Sequence, residues 1–183
     1  MISIAQNKAL RQLLWIGMGA IGMFFAGLTS AYIVRKAEGN WLDFTLPDWF
    51  LYSTITILLS SLLLIFAKKN LKREISPFKM ISIVFLLGIM FTFFQINGWK
   101  ELTNQGVFLT GEGSNVAGSF LYVLTLSHLV HLIGGLVALF FTSINAIRGR
   151  YTVDNCLGLD LTSTYWHFLG ILWLYLFFFL KYL

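Results

Sequence analysis

The sequence predicts an all-α membrane protein: five transmembrane helices in one helical domain over residues 1–183. Composition is the first reason. With 57% hydrophobic and 11% charged residues and only two prolines, the chain is far more apolar than a soluble domain. The second reason is spacing. Runs with little or no charge fall at about 13–34, 50–67, 80–98, 117–146 and 161–180, each close to the ~20 residues that a helix needs to cross a hydrocarbon core. The third is where the charges fall. All eight acids (Glu38, Asp43, Asp48, Glu74, Glu101, Glu112, Asp154, Asp160) lie outside these runs or at their edges, as the cost of a buried charge requires. Nine of the thirteen Lys and Arg residues fall on one side if the N-terminus is inside, which predicts an inside N-terminus and an outside C-terminus.

The formal charge of +5 does not point to nucleic acid, because the cations are scattered between apolar runs instead of covering one solvated face. The lone Cys156 excludes an intrachain disulfide and a thiolate metal cluster. The first run follows Lys8 and Arg11 as in a signal peptide, but it is longer than an h-region and reads as a retained helix. In it Gly22, Ala26 and Ser30, and likewise Gly27 and Ala31, recur every four residues, a spacing that lets another helix approach closely in lipid. Gly17, Gly19 and Gly22 match a dinucleotide-binding pattern, yet no strand precedes them, so that reading is discarded.

Pro47, Asp48 and Trp49 suit a helix start at headgroup level, and the second helix, rich in Leu, Ile, Ser and Thr, ends at Lys68 and Lys69. Nothing in it suggests chemistry. The third opens after Ser76 and Pro77 and carries Gln95 and Asn97, which suit hydrogen bonds between helices. A glycine-rich polar loop, Thr103 to Val116, follows.

The fourth helix holds His128 and His131 on one face. A histidine pair could ligate haem or metal, but no carboxylate or cysteine lies at comparable depth, and a stable metal site wants three or four ligands. At 1.5 Å per residue from the inner ends, His131 lies about 22 Å deep and His167 only about 9 Å, which disfavours a haem bridged between them. The fifth helix carries Tyr165, Trp166, His167 and Phe168, with Gly170 and Trp173 following Trp166 on one face. That face is shaped to meet something.

Several of these segments resemble subunit III of haem-copper cytochrome c oxidases. The resemblance rests on Phe25-Ala-Gly-Leu-Thr-Ser-Ala-Tyr32, on Gly118 to Tyr122 followed by the His128/His131 pair and Gly134-Gly135, on Gly158-Leu159-Asp160, and on Tyr165-Trp166-His167-Phe168 with Trp173. They occur in the family's order across almost the whole chain. The departures are acids: the family's in-membrane glutamate falls on Ile21, its glutamate after Gln-x-x on Gly98, and its aspartate after Trp-His-Phe-x on Gly170. A family histidine is Cys156 here, and Asp160 replaces a usual glutamate.

Five helices match the short form of the family, lacking the first two helices of the longer version, which wall a lipid-filled cleft. The resemblance implies a non-catalytic structural subunit, with no redox centre of its own, packing on catalytic subunit I beside further subunits and phospholipid. Haem and copper would reside in that partner, which oxidises cytochrome c and pumps protons. The membrane implied is the bacterial cytoplasmic one.

Expected lipid or partner contacts are Arg148, Arg150, Trp166, His167, His128 and His131, with a phospholipid headgroup at the two arginines; expected helix-packing positions are Gly22, Ala26, Gly27, Ser30 and Gly170. With no acid inside a span, protons could pass only through surface groups, of which Glu74, Asp154 and Asp160 lie on the inner face. The alternative reading is a haem-bearing anchor that passes electrons through His128 or His131 with His167. A transporter is weaker, since the spans lack ionisable residues.

Overall fold

A computed structural model describes residues 4–39, 41, 44–71, 76–111, 113–152 and 155–182. Lys72, Arg73 and Glu74 of the second link, and Asp43, Glu112 and Asp154, lie outside the described residues. Five helices form: α1 (Ile4–Ala37), α2 (Asp48–Leu71), α3 (Phe78–Asn104), α4 (Val116–Ile147) and α5 (Leu157–Tyr182). Each contains one expected run and is long and apolar enough to cross a membrane.

The ends follow local chemistry. Pro47 precedes α2 and Asp48 sits in its first turn, where a missing N–H costs nothing and a negative charge meets the helix dipole. The Asn115 side chain accepts a hydrogen bond from the Ala117 N–H at 2.9 Å and caps α4. Gly149, at φ +64°, ends α4 in a left-handed conformation that favours glycine.

Side-chain bonds fix the topology. Ser53 meets Gln95, Ser82 meets Ser143, and Thr142 meets Thr162, so α2 through α5 run alternately up and down. Ser60 bonds Trp166 and Thr54 bonds Trp173, which closes α5 back onto α2. These four helices enclose the main core, including Phe50, Ile57, Leu64, Ile81, Val84, Phe91, Leu121, Leu132, Leu139, Trp166 and Trp173. The first helix stands apart. Among the described residues it lies on α4 and α5 alone, through a second cluster of Phe25, Tyr32, Leu124, Leu172, Leu176 and Phe179.

Most of the remaining helix surface is apolar and exposed: Trp15, Met23, Leu86 and Ile171 are all more than 60% accessible. In water that exposure would drive aggregation; in lipid it costs nothing, because acyl chains are as apolar as leucine.

Candidate functional site

The interior is held by one repeated device. The Ser60 hydroxyl donates to the Ile57 carbonyl of its own helix at 2.7 Å and accepts the Trp166 indole N–H at 2.9 Å. Thr54 donates to the Phe50 carbonyl at 2.7 Å and accepts from Trp173 at 3.0 Å. Thr125 donates to Leu121 at 2.9 Å and accepts from Trp99 at 3.0 Å, and Ser53 donates to Phe50 at 2.8 Å and accepts from Gln95 at 2.8 Å. Each hydroxyl spends its proton on its own backbone and offers a lone pair to the neighbouring helix. No buried donor in these pairs is left unmade, which matters where no water can replace it.

Trp166 is the centre of this arrangement. Fully buried, it reaches α2 with its N–H while its ring lies against Gly88 of α3 and Gly135 of α4. A methyl group at Gly88 would come within 2.7 Å of the Trp166 ring, and one at Gly135 within 3.2 Å, so both glycines exist here to admit the indole. Gly170 lies beside Ser61 and Ile57 of α2, where a methyl would sit 3.3 Å from the Ser61 hydroxyl.

The three histidines point into three different surroundings. His128 is fully buried between Phe91 and Trp173, and its Nε2–H donates to the Leu169 carbonyl at 3.1 Å. His131 donates from Nδ1 to the Ser127 carbonyl at 2.7 Å and packs against Phe24 and Phe25 of α1. His167 faces a cavity between α2 and α5 with Lys68 and Lys69. No group of three or more His, Cys, Asp or Glu side chains able to hold a metal gathers among the described residues. The pairing of His128 or His131 with His167 around a haem therefore has no support.

Trp166 and His128, expected at a lipid or partner contact, face the interior of their own chain instead. The cations beside His167 are Lys68 and Lys69, while Arg148 and Arg150 lie exposed at the end of α4, Arg150 donating to Asn145 at 3.3 Å. The spaced small residues of α1 face outward. A methyl at Gly22 or Gly27 would meet nothing within 4 Å, and Ala26 and Ser30 are exposed, because α1 turns Met18, Phe25, Thr29 and Tyr32 inward.

At the end of the bundle that carries the N-terminus, Asp160 joins three helices. Its carboxylate takes Arg11 of α1 at 2.9 Å and Lys68 of α2 at 2.8 Å. Cys156 lies 3.8 Å from the same carboxylate, and burial together with that negative charge pushes its thiol above the ordinary range. Sequence reasoning singled out Asp160 but missed Arg11 and Lys68 as its partners. The signal was present in three polar residues expected at one membrane border on three helices.

These features define the class first: a polytopic helical membrane protein whose buried Trp166, Trp173 and His128 serve its own packing. Residues 44–183 match the family described as cytochrome c oxidase subunit III. The chain is 31% identical over 169 residues to the probable cytochrome c oxidase subunit 3 of Nocardia farcinica, covering 85% of this chain and 78% of that one. It is 29% identical over 166 residues to the counterpart from Mycobacterium tuberculosis (strain ATCC 25618 / H37Rv), with the same coverage, and 26% identical over 172 residues to the cytochrome c oxidase subunit 3 of Bacillus sp. (strain PS3), covering 89% and 80%. The chain belongs to the cytochrome c oxidase subunit III family.

Proposed function

We propose that this chain is the non-catalytic third subunit of a bacterial cytochrome c oxidase, in the cytoplasmic membrane with its N-terminus inside, packed on subunit I. Haem and copper belong to that partner, and phospholipid fills the surfaces between them. The family match over residues 44–183 carries the reading. The interior agrees with it: the buried Trp166 and Trp173 bond Ser60 and Thr54, and the buried His128 bonds the Leu169 carbonyl.

The exposed small-residue face of α1 suits the contact with subunit I. Gly22, Ala26, Gly27 and Ser30 let a partner helix approach closely, and packing of this kind drives association in lipid. A photo-crosslinking residue at Ala26, in the assembled complex, is expected to capture subunit I. The same residue at Leu86, on the exposed face of α3, serves as the comparison. Capture from Leu86 and none from Ala26 would place the interface elsewhere. Arg148 and Arg150, exposed beyond α4, suit a phospholipid phosphate. Asp160, already held by two cations, is the described acid that could exchange protons with the surface at that end.

A further inference from the structure

One cavity goes beyond these assignments, which named only His167 among the residues that line it. Between the end of α2 and the start of α5 lies a cavity of about 270 Å³ lined by Ile65, Lys68, Lys69, Ser163, Thr164 and His167. Its donors are largely uncommitted. An ammonium has three N–H groups; Lys68 gives one to Asp160. Lys69 sits 5.7 Å from the centre of the Phe66 ring, a contact that uses its charge and leaves its N–H groups available. The Ser163 hydroxyl and the His167 ring take no hydrogen-bond partner among the described residues. Thr164 is the exception, donating to the Asp160 carbonyl at 2.9 Å.

The charge balance is positive. Asp160 carries one negative charge shared between Arg11 and Lys68, so together with Lys69 the three cations leave a positive excess at the cavity. Two ammonium groups, a hydroxyl and an imidazole converging from two helices are donors suited to the oxygens of one tetrahedral anion. Below them, Leu62, Ile65 and Phe66 are exposed on the same face of α2 as Lys69.

We infer that the α2–α5 cavity binds a phosphate group through Lys68, Lys69, Ser163 and His167. The phosphate comes either from an anionic phospholipid headgroup, its acyl chains lying along Leu62, Ile65 and Phe66, or from free phosphate in the aqueous phase. This site is separate from the exposed arginines of α4. It rests on the proposed function only in using the oxidase complex for its test.

The test uses that complex, wild type, Lys69→Gln, Ser163→Ala and Lys79→Gln, the last removing an exposed cation at the start of α3 on the same border. Lys68 is left intact because it braces Asp160. In nanodiscs of phosphatidylcholine doped with phosphatidylglycerol, native mass spectrometry counts phosphatidylglycerol retained per complex. In phosphatidylcholine alone, inorganic phosphate is titrated against carbethoxylation of His167 by diethylpyrocarbonate, mapped by peptide mass spectrometry.

A headgroup site predicts one fewer phosphatidylglycerol in Lys69→Gln and in Ser163→Ala, and the wild-type number in Lys79→Gln. A free-phosphate site predicts unchanged lipid counts, protection of His167 by phosphate in wild type, and an about fivefold higher phosphate requirement in Lys69→Gln. Unchanged lipid and no protection overturns the inference. So does an equal loss in Lys79→Gln, which would mean diffuse attraction to a basic border. The same spectra show whether subunit I accompanies the chain, so failure of the functional proposal is read separately.

Discussion

The seat of Trp166 can be tested by one methyl group. In Gly88→Ala the new carbon would lie 2.6 Å from Leu136 Cδ2 and 2.7 Å from Trp166 Cη2, against a comfortable carbon–carbon separation of about 3.5–4.0 Å. Leu136 can rotate away. The indole cannot, because its N–H is tied to Ser60 at 2.9 Å and its other side lies on Gly135. Either the Ser60 bond is lost or α3 moves outward by roughly 1 Å, and overpacking of this kind costs about 1–3 kcal/mol.

Gly135→Ala meets the movable tip of Leu169 at 2.9 Å before it meets Trp166 at 3.2 Å, so its cost falls at the low end of that range. Gly17→Ala meets nothing within 4 Å and costs nothing by this mechanism. The assay is thermal unfolding of the detergent-solubilised chain, followed by tryptophan fluorescence. The expected order of loss is Gly88→Ala, then Gly135→Ala, then Gly17→Ala. Wild-type stability in Gly88→Ala, measured beside a destabilised Gly17→Ala, would refute the reasoning.

Other outcomes follow from the same geometry. Ser60→Ala keeps the indole in its seat but removes its bond, and is expected to cost about 0.6 kcal/mol, at most about 1.7, in the same assay, since interhelical bonds in lipid are modest; a loss as large as that of Trp166→Ala, about 3–5 kcal/mol, would contradict it. Cys156 is expected to alkylate slowly near neutral pH, with the midpoint of its rate profile above that of an ordinary thiol. Asp160→Asn, removing the negative charge, should shift that midpoint downward, and an upward shift would contradict the assignment. The Arg11 and Lys68 pairs to Asp160 are partly exposed, so Asp160→Asn should cost no more than about 1 kcal/mol per pair, and less as salt rises, read from denaturation at low and high ionic strength. A lipophilic carbodiimide should label no residue within 13–34, 50–67, 80–98, 117–146 or 161–180, runs that hold no Asp or Glu; an adduct mapped inside one of them would show its boundaries to be wrong.

The five helices were legible because charge is so costly in lipid that its absence marks a span, and a helix is the structure that satisfies its own backbone there. Helix ends were harder. The structure carries α1 from Ile4, well before the apolar run, because polar residues beyond the hydrocarbon can stay helical in water. The role of α2 was hidden. Its Ser and Thr residues read as bland, yet Ser53, Thr54 and Ser60 receive the bonds from Gln95, Trp173 and Trp166.

A hydroxyl is silent in sequence because either its own carbonyl or a neighbour can satisfy it, and only the packing angle decides. Gln95 crosses to another helix as its type suggested, whereas Asn97 turns to the Phe93 carbonyl of its own helix. Periodicity placed Trp166, Gly170 and Trp173 on one face but could not say whether that face meets lipid, a partner or the chain's own core.

The central claim, that this chain serves a haem-copper oxidase without holding a redox centre, is tested most directly by gentle detergent purification through a tag on this chain. Mass spectrometry and a visible spectrum would be taken before and after its dissociation. The account predicts co-purification of a haem-bearing oxidase subunit and a Soret band that stays with that subunit when the two part. Recovery of the chain alone, or a stoichiometric Soret band that follows the isolated chain and vanishes in His131→Ala, would contradict it.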